Sequence, residues 1–350
     1  MKIVFINNLY KPYARGGAER VVEERAHSAL ARSDEAVVIT LAKNKSEHKQ
    51  VFWDGKIKVI RIWTKNIFSY FDLSKHSYLI KLIWHFIDIF GCTRDLQQIL
   101  LSEKPDVVET HNLVGTQCRN FKFQISNFKF SWVHYLHDIQ LVEPSGVLSW
   151  NHKRDNILQK IYAGIMKRNF RNVDQVISPS KFLEEFYKER GFFRQSEWQL
   201  VKFNQIPNFQ FPISKQIQNS KLKFLYVGSL VEHKGIRILM KAWNEVGNEE
   251  RGTRNGELYI VGDGELRRKV EEWAKNKKSV QVLGRLEGEQ LENVYKQSDV
   301  LIMPSICLEN CPTVILEAQK YGLQIIASNT GGVRELVDEN NLFEPGNVEE

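Results

Sequence analysis

Two glutamates spaced eight positions apart can bind a ligand rich in hydroxyl groups between them. Glu309 lies in a polar stretch that follows the apolar run 300–303, and Glu317 lies in a segment with helical spacing. A short apolar run that ends at a proline is typical of a buried parallel strand. Ligands of open α/β sheets bind beyond the carboxyl ends of such strands. Carboxylates placed there can accept hydrogen bonds from the hydroxyls of a sugar.

The segment after Glu309 predicts a helix whose first turn faces this ligand. Pro312 is expected at the first helical position, where its missing N–H would have no partner, and the helical spacing continues until Gly322. The free N–H groups of Thr313 and Val314, together with the positive end of the helix dipole, suit phosphate. These residues and the two glutamates therefore predict a site for a sugar nucleotide.

Length and composition bound the class of protein. The chain has 350 residues, enough for two ordinary domains, and its 42% hydrophobic and 26% charged content is that of a globular protein. Its net charge of +7 allows three kinds of acidic partner: a nucleoside diphosphate, an anionic membrane surface or a nucleic acid. We find no RNP, zinc-finger or basic-zipper pattern, so no nucleic-acid partner is expected.

The cysteines and the apolar segments indicate the cellular compartment in which the protein is expected. The cysteines at 92, 118, 307 and 311 form no Cys-x-x-Cys pair, which favours a reducing compartment and hence the cytoplasm. The first strand-like segment has only four consecutive apolar residues, which is short for a signal peptide. The most apolar later segment, 78–90, is interrupted by charged residues and is too short to span a bilayer.

Alternating strand and helix signals run through the first half of the chain. Gly16 and Gly17 separate a predicted strand from a helical pattern, which either lets a ligand approach the backbone closely or makes a plain tight turn. Two later predicted strands are followed by His111 and by His137, and both strands should open toward the same crevice. Taken singly, each histidine of the chain is expected to be structural.

The second half repeats the alternation after a break. The polar, proline-punctuated stretch 206–220 is interpreted as an interdomain linker, and a new sheet is predicted to begin at 223. A glycine-flanked loop then delivers Lys234, which can reach a diphosphate and neutralise its charge as it leaves. The Gly262 and Gly264 pair is too short to be a dinucleotide fingerprint.

The frame around the two glutamates resembles the signature of a known family. Pro304 and Ser305, followed by Glu309, Pro312 and Glu317, are similar to the motif of the retaining glycosyltransferases of family 4, which have the GT-B fold. The resemblance covers nearly the whole chain. It implies an α/β protein with two doubly wound, parallel-sheet (Rossmann-like) domains facing a cleft. An acceptor-side domain is expected over 1–205 and a nucleotide-sugar donor-binding domain over 206–350, with the last helices of the family missing.

The resemblance also implies a role for each matching residue. The catalytic set is His137, near the transferred sugar, with His111 as second choice, Lys234 at the leaving diphosphate and Glu309, which orients the sugar. Glu317 binds the ribose, and the strand end at Arg285 meets the base. The full donor set expected from the motif is Gly16, Gly17, Ser229, Lys234, Arg285, Leu286, Glu309, Cys311, Pro312, Thr313, Val314 and Glu317.

One position departs from the family pattern. Family members usually carry an arginine directly after the first glycine of the Lys234 loop, where this chain has Ser229. Loss of one such donor typically costs about two to three orders of magnitude in rate. Arg237 and Arg285 are candidates to supply the missing charge, and low activity is the other outcome.

These features predict a metal-independent, retaining glycosyltransferase that moves a sugar from a nucleotide-diphosphate sugar to a glycan or lipid-linked acceptor. No Asp-x-Asp motif or His/Cys cluster with metal-ligand spacing is found in the sequence, so no metal or other cofactor is expected. Two alternatives remain. A sugar-nucleotide 2-epimerase would share the fold and donor site, and a catalytically weak binding module would fit Ser229 and the short C-terminus.

The aromatic and basic segment 61–90 allows two interpretations. An amphipathic segment of this kind can lie in a membrane interface, which would make the protein peripheral to the inner face of an anionic membrane. The other interpretation is a helix that faces the core and exposes a solvated basic edge.

Overall fold

The structure of the protein is a computed structural model that describes residues 1–14, 16–91, 94–117, 129–201, 221–246 and 256–349. The chain forms two compact units. Unit 1 comprises Met1–Val147 and Arg154–Val201, and unit 2 comprises Leu148–Lys153 and Lys202–Glu350. The predicted linker, 206–220, lies outside the described residues.

Unit 1 is built on an eight-stranded sheet. Its strands are β1 (Lys2–Ile6), β2 (Glu35–Leu41), β3 (Val51–Asp54), β4 (Ile57–Ile62), β5 (Val107–Thr110), β6 (Ser131–Tyr135), β7 (Gln175–Ser178) and β8 (Glu197–Leu200). They lie in the order β3-β4-β2-β1-β5-β6-β7-β8. Neighbouring strands are parallel, apart from the antiparallel pair β3 and β4.

The helices described in unit 1 are α1 (Gly17–Ala31), α2 (Tyr78–Phe90), α3 (Arg94–Glu103), α4 (Ile157–Asn169) and α5 (Lys181–Glu189). The apolar stripe of α1, which includes Val22 and Ala26, packs against Phe5 of β1 and Val38 of β2. This packing fixes the start of α1 beside the carboxyl end of β1.

Unit 2 is built on a six-stranded sheet in which all neighbours are parallel. Its strands are β9 (Leu222–Val227), β10 (Gly256–Val261), β11 (Val280–Gly284), β12 (Val300–Met303), β13 (Gln324–Ser328) and β14 (Leu342–Phe343). They lie in the order β11-β10-β9-β12-β13-β14. The helices described are α6 (Ile236–Val246), α7 (Arg267–Ala274), α8 (Gly288–Gln297) and α9 (Thr313–Lys320).

Helices cover both faces of the unit 2 sheet. Successive residues of β10 alternate between two apolar clusters, with Leu258 and Ile260 in one and Tyr259 and Val261 in the other. Helices α6 and α7 contribute to the first cluster, and α8 and α9 contribute to the second. A parallel sheet buried on both faces is the doubly wound arrangement expected from the sequence.

Most predicted elements are found, with shifts at their ends. The strand predicted at 300–303 is β12, and the helix predicted at 236–246 is α6. The prediction for Pro312 is wrong by one position: α9 begins at Thr313, and Pro312 is its N-cap residue with a ψ of 114°. An extended ψ takes the proline out of the helix, while its carbonyl still accepts a hydrogen bond from the amide of Ile315 at 3.1 Å.

Each sheet has one point at which the strand order reverses, between β1 and β5 in unit 1 and between β9 and β12 in unit 2. The loops that leave such neighbouring strands run to opposite sides and leave a crevice in which ligands bind. In unit 2 these two loops carry Lys234 and Glu309. In unit 1 they lead to Gly16 and to His111.

Two glycines allow the unit 2 loops to approach each other. Gly235 has a φ of +72°, and a Cβ built on it would lie 1.6 Å from the carbonyl oxygen of Pro304. Gly331 has a φ of +55°, and its Cβ would lie 2.0 Å from the carbonyl oxygen of Glu309. Both glycines are therefore required by backbone conformation and by space.

We expect Gly235→Ala to destabilise unit 2 by several kcal/mol, because the left-handed conformation costs about 1 kcal/mol and the clash with a backbone carbonyl adds to it. Gly288→Ala is the matched control, since Gly288 has a φ of +55° and nothing within 4 Å of its Cβ position. Urea unfolding of the full chain measures both. Equal losses in the two variants would contradict the packing argument.

Candidate active site

An ion pair joins the two loops that flank the switch point of unit 2. The Nζ atom of Lys234 lies 2.7 Å from Oε1 of Glu309. The two residues are 75 positions apart in the chain, and Gly235 and Gly331 give their loops the room to meet. The structure therefore brings together two of the three predicted catalytic residues.

One oxygen of Glu309 receives all the described hydrogen bonds of that side chain. Besides Lys234, the hydroxyl of Ser305 donates to Oε1 at 2.6 Å, and the thiol of Cys307 lies 3.7 Å from the same atom. Among the residues that the structure describes, no donor to Oε2 is found. Oε2 is thus the oxygen that can accept a hydrogen bond from a ligand.

Charge keeps this pair ionic. Burial alone would raise the pKa of Glu309, but Lys234 and the Ser305 hydroxyl outweigh it and hold that pKa below its ordinary value. Burial alone would lower the pKa of Lys234, but the negative charge of Glu309 outweighs burial and raises that pKa above its ordinary value. Burial and the neighbouring Glu309 raise the pKa of Cys307 to about 12, so its sulfur is a protonated thiol.

The start of α9 lies directly after this loop. The first amides of a helix have no intrahelical acceptor. Among the described residues, none accepts a hydrogen bond from the amides of Thr313 or Val314. These two N–H groups and the positive end of the helix dipole are suited to an anion, as the sequence predicted.

Glu317 lies in the second turn of α9 and is partly buried. The hydroxyl of Tyr295 donates to its Oε2 at 2.8 Å, and the Tyr295 ring stacks on Tyr321 with centroids 5.6 Å apart. The carboxylate is therefore held in one orientation by α8 rather than left mobile.

The remaining donor-set residues of unit 2 vary in exposure. Ser229 is exposed, and its carbonyl accepts a hydrogen bond from Tyr226 at 3.0 Å. Arg285 is exposed and pairs with Glu287, while Leu286 packs against the apolar cluster of α8 and α9. Cys311 is a partly buried free thiol whose pKa is raised to about 12 by burial.

The two candidates for the missing arginine charge each have a carboxylate partner on the surface. Arg237 donates to Glu232 at 2.7 Å, and Arg285 donates to Glu287. Surface ion pairs of this kind are worth only about 0–1 kcal/mol. Either arginine can therefore exchange its partner for a phosphate at little cost.

In unit 1, the backbone conformation of Gly16 does not require a glycine. Gly16 caps α1 in an extended conformation with a φ of −156°, which any residue adopts. A Cβ at this position would meet only Glu19 at 3.7 Å, an ordinary contact. Its amide donates to Glu19 at 2.6 Å. Gly17 is the first residue of α1. Absence of a side chain at Gly16 thus leaves space at the carboxyl edge of the sheet.

A pocket in unit 1 is lined by the ends of β5 and β6. His111 follows β5 and His137 follows β6, and Nδ1 of His111 lies 2.7 Å from Nε2 of His137. The ring of Tyr135 stacks on both histidines. Asp138, which follows His137 in the chain, also lines the pocket. The sequence-predicted His137 and its second choice His111 are therefore neighbours.

Burial sets the protonation of this pocket. It lowers the pKa of His111 and of His137, and it lowers the pKa of His134 to about 3 with a contribution from His111. Burial raises the pKa of Asp138 to about 7. The three imidazoles are therefore neutral near pH 7.

Several residues of these sites were missed by sequence reasoning. Ser305 and Cys307 support Glu309, and Glu109 lies beside His111. The segment Leu148–Lys153 belongs to unit 2, where Leu148 accepts a hydrogen bond from the amide of Leu308 at 2.8 Å. Of these residues, only Glu109 could have been singled out from the sequence, because it is a charged residue that directly follows two valines of a predicted strand.

The buried histidines predict a loss of stability in acid. A histidine whose pKa is lowered in the folded chain binds its proton mainly after unfolding, so stability is present above pH 6.5 and is lost as the pH falls toward 3. We expect His134→Gln to reduce the slope of unfolding free energy against pH by up to about 1.4 kcal/mol per pH unit. Urea unfolding between pH 4 and pH 7 measures it.

The control for this experiment is His27→Gln, because His27 is an exposed residue of the same unit. It should leave the slope unchanged. If His134→Gln had the same slope as the wild type, the histidine would not be held neutral by the fold.

Comparison with protein families identifies both halves of the chain. The model of glycosyltransferase family 4 matches residues 15–197, about half of the chain. The model of glycosyl transferases group 1 matches residues 209–350.

Two relatives illustrate the similarity in sequence. The chain is 25% identical over 345 residues to a 42.6 kDa protein in the cps region of Klebsiella pneumoniae, covering 96% of this chain and 87% of that protein. It is 29% identical over 188 residues to the lipopolysaccharide 1,2-N-acetylglucosaminetransferase of Salmonella typhimurium, covering 47% of each.

Solved structures show the same fold at low identity. Sucrose-phosphate synthase from Thermosynechococcus elongatus is 19% identical with a TM-score of 0.70, covering 99% of this chain and 86% of that one. The Anabaena protein HepE, solved with UDP-glucose, is 18% identical with a TM-score of 0.64, covering 100% and 87%. The chain belongs to glycosyltransferase family 4: it is a glycosyltransferase with the GT-B fold of two Rossmann-like domains.

Proposed function

We propose that this protein is a retaining glycosyltransferase that moves a sugar from a nucleotide-diphosphate sugar to a glycan or lipid-linked acceptor. The observation that supports this best is the Lys234–Glu309 pair at the switch point of unit 2, beside the open amides of α9. The Anabaena relative in complex with UDP-glucose and the Salmonella lipopolysaccharide enzyme make the same donor class and a glycan acceptor reasonable choices.

In this proposal each group of unit 2 has a distinct task. Lys234 and the amides of Thr313 and Val314 stabilise the negative charge that develops on the leaving diphosphate. Glu309 orients the transferred sugar through Oε2, because its other oxygen is already occupied. Glu317 binds the ribose hydroxyls. Departure of the diphosphate and attack by the acceptor on the same face give retention, a stereochemistry we propose from the family.

We assign the acceptor side of the reaction to unit 1. His137 is placed near the transferred sugar, and Gly16 and Gly17 give the ligand access to the start of α1. The neutral state of the pocket histidines supports this role, since a neutral imidazole can both donate and accept a hydrogen bond.

We propose metal-independent transfer, because Lys234 and the amides of Thr313 and Val314 can stabilise the charge of the diphosphate. A cluster of Glu23, His27 and Asp54 in unit 1 has the spacing of a metal site, but Lys11 already forms ion pairs with both carboxylates. This cluster carries no role in the proposal.

Two other functions remain alternatives. A sugar-nucleotide 2-epimerase would use the same donor site without an acceptor, so its product would form from the donor alone. A weak binding module is favoured by Ser229, which lacks the cation that the family usually carries at this point. It would bind the nucleotide sugar without turnover.

A first prediction separates the roles of the two partners of the ion pair. Lys234→Ala should weaken binding of the donor and lower kcat by about two to three orders of magnitude, because a charge on the diphosphate is left unpaired. Glu309→Gln should lower kcat while nucleoside diphosphate binds as tightly as before or more tightly, since Lys234 loses a competing carboxylate. Calorimetry with UDP, GDP, ADP and TDP sugars, followed by turnover of the donor that binds, measures both.

Lys296→Ala is the matched control. Lys296 is an exposed lysine of unit 2 that lies 3.6 Å from Glu292. Its loss should change neither the affinity for the donor nor kcat. The assays are run with EDTA, and restoration of a lost activity by Mg²⁺ or Mn²⁺ would contradict metal independence. Binding without turnover in the wild type would favour the module, and a new sugar nucleotide without acceptor would favour the epimerase.

We also propose that unit 1 contacts the inner face of an anionic membrane, from the cytoplasm. The apolar stripe of α2 is formed by Leu79, Ile83, Phe86 and Phe90, with exposed fractions of 71%, 55%, 62% and 59%. The opposite side of α2 buries Trp84. A lipid-linked acceptor would be reached from such a surface. In the described part of the chain, no helix has the length and apolar content to cross a bilayer.

We expect Ile83→Ser combined with Phe86→Ser to reduce binding to vesicles that contain anionic lipid by at least about tenfold, because these two exposed apolar side chains would contribute several kcal/mol on insertion into the interface. Sedimentation with vesicles at low salt is the measurement. Trp53→Ser, which removes an aromatic residue with 65% exposure from strand β3, is the control. If the wild type ignores the vesicles, the membrane proposal fails.

A further inference from the structure

A chain of polar side chains runs from the surface of unit 1 to the pocket histidines. Arg25 of α1 donates to both oxygens of Glu109 of β5, with Nη2 2.7 Å from Oε2. Oε1 of Glu109 lies 3.1 Å from Nε2 of His111. His111 in turn meets His137 at 2.7 Å. The order is therefore Arg25, Glu109, His111, His137.

This chain is sealed from water at its centre. Glu109 is 4% exposed and His111 is 2% exposed. Nε2 of His111 is completely buried and has no hydrogen-bond partner among the described residues, and the ionised Oε1 of Glu109 lies 3.1 Å from it. The Tyr135 ring packs against His111, His137 and the guanidinium of Arg25 at once. Neither imidazole can therefore turn its ring without disturbing the others.

The chemistry of a carboxylate decides where the protons are. Glu109 is ionised, because Arg25 and His111 hold its pKa at about 2 despite burial. An ionised carboxylate only accepts, so Nε2 of His111 must carry the hydrogen that faces it. Neutral His111 then has a lone pair on Nδ1, and His137 must donate to it through Nε2–H. The remaining nitrogen of His137, Nδ1, is left as an acceptor.

We propose that Glu109 is a positioning residue that fixes the tautomers of His111 and His137, so that Nδ1 of His137 carries a lone pair and not a hydrogen. Arg25 holds the carboxylate in place but does not choose the tautomer. The consequence for sugar transfer rests on the proposed function. The tautomers themselves do not.

The test uses the full chain with ¹⁵N-labelled histidine and long-range ¹H–¹⁵N correlation at pH 7.5. Signals are assigned by their loss in His111→Gln and His137→Gln. In the wild type both residues should be Nε2–H tautomers. In Glu109→Gln, one of the two acceptor oxygens that face Arg25 and His111 becomes an NH₂ group, so the carboxylate no longer imposes Nε2–H on His111 and both residues should lose the single wild-type tautomer. A wild-type His111 protonated on Nδ1 would overturn the proposal.

Two variants separate this role from simple support of the fold. Arg25→Ala breaks the ion pair but keeps the carboxylate, and it should keep the wild-type tautomers. Reversal in Arg25→Ala would mean that the ion pair, rather than the carboxylate, governs the site. Glu103→Gln is the matched control, a little-exposed carboxylate of unit 1 that pairs with Lys58 at 2.6 Å and has no histidine partner.

Kinetics supply the second readout. Without the fixed tautomers, kcat of Glu109→Gln should fall by at least about tenfold. KM for the donor should stay within about twofold, because the described polar contacts of Glu109 are to Arg25 and His111 and to no residue of the donor set. If the tautomers change while kcat does not, the role in transfer is refuted and the tautomer assignment still stands. Absence of turnover in the wild type would refute the proposed function, and the spectra would still decide the tautomers. If Glu109→Gln does not fold, the spectra of the wild type and of Arg25→Ala still determine the tautomers of His111 and His137.

Discussion

A carboxylate removed from water requires donors and positive charge around it, and Glu309 obtains them from residues that follow two strands, Lys234 after β9 and Ser305 after β12. Removing Lys234, whose side chain is 32% exposed, would leave the buried carboxylate of Glu309 without its cation. The loops after β9 and β12 must therefore meet. Gly235 and Gly331 are the backbone conditions for that meeting, because any side chain at either position would collide with a carbonyl.

The two units share one architecture but differ in the charge state of the side chains at the switch point. At its switch point unit 2 maintains separated charges, with a lysine kept protonated and a glutamate kept ionised. Unit 1 keeps its imidazoles neutral by burial and places one ionised carboxylate behind them. The first arrangement suits a ligand that carries charge, and the second suits a ligand that offers hydroxyls. Both follow from which side chains the parallel strands deliver to their carboxyl ends.

Sequence reasoning succeeded where the signal was local. The strand 300–303 and the helix after it followed from apolar spacing and from a proline stop. It failed where contacts join distant positions. Arg25 and Glu109 are 84 positions apart, and no periodicity relates them. Pro312 was misplaced by one residue because its ψ depends on the loop before it, which sequence spacing does not specify.

The segment Leu148–Lys153 has a consequence for how the molecule can be divided. It leaves unit 1, pairs Ser149 with Cys307 beside the Glu309 loop, and returns, so the polypeptide passes between the units more than once. A fragment that ends near residue 205 would contain Leu148–Lys153 but not residues 306–308, with which this segment pairs. The complementary fragment would contain residues 306–308 without that support. The two halves are thus not interchangeable modules. Exchanging unit 1 for the corresponding unit of a relative would require the six-residue segment to stay with unit 2.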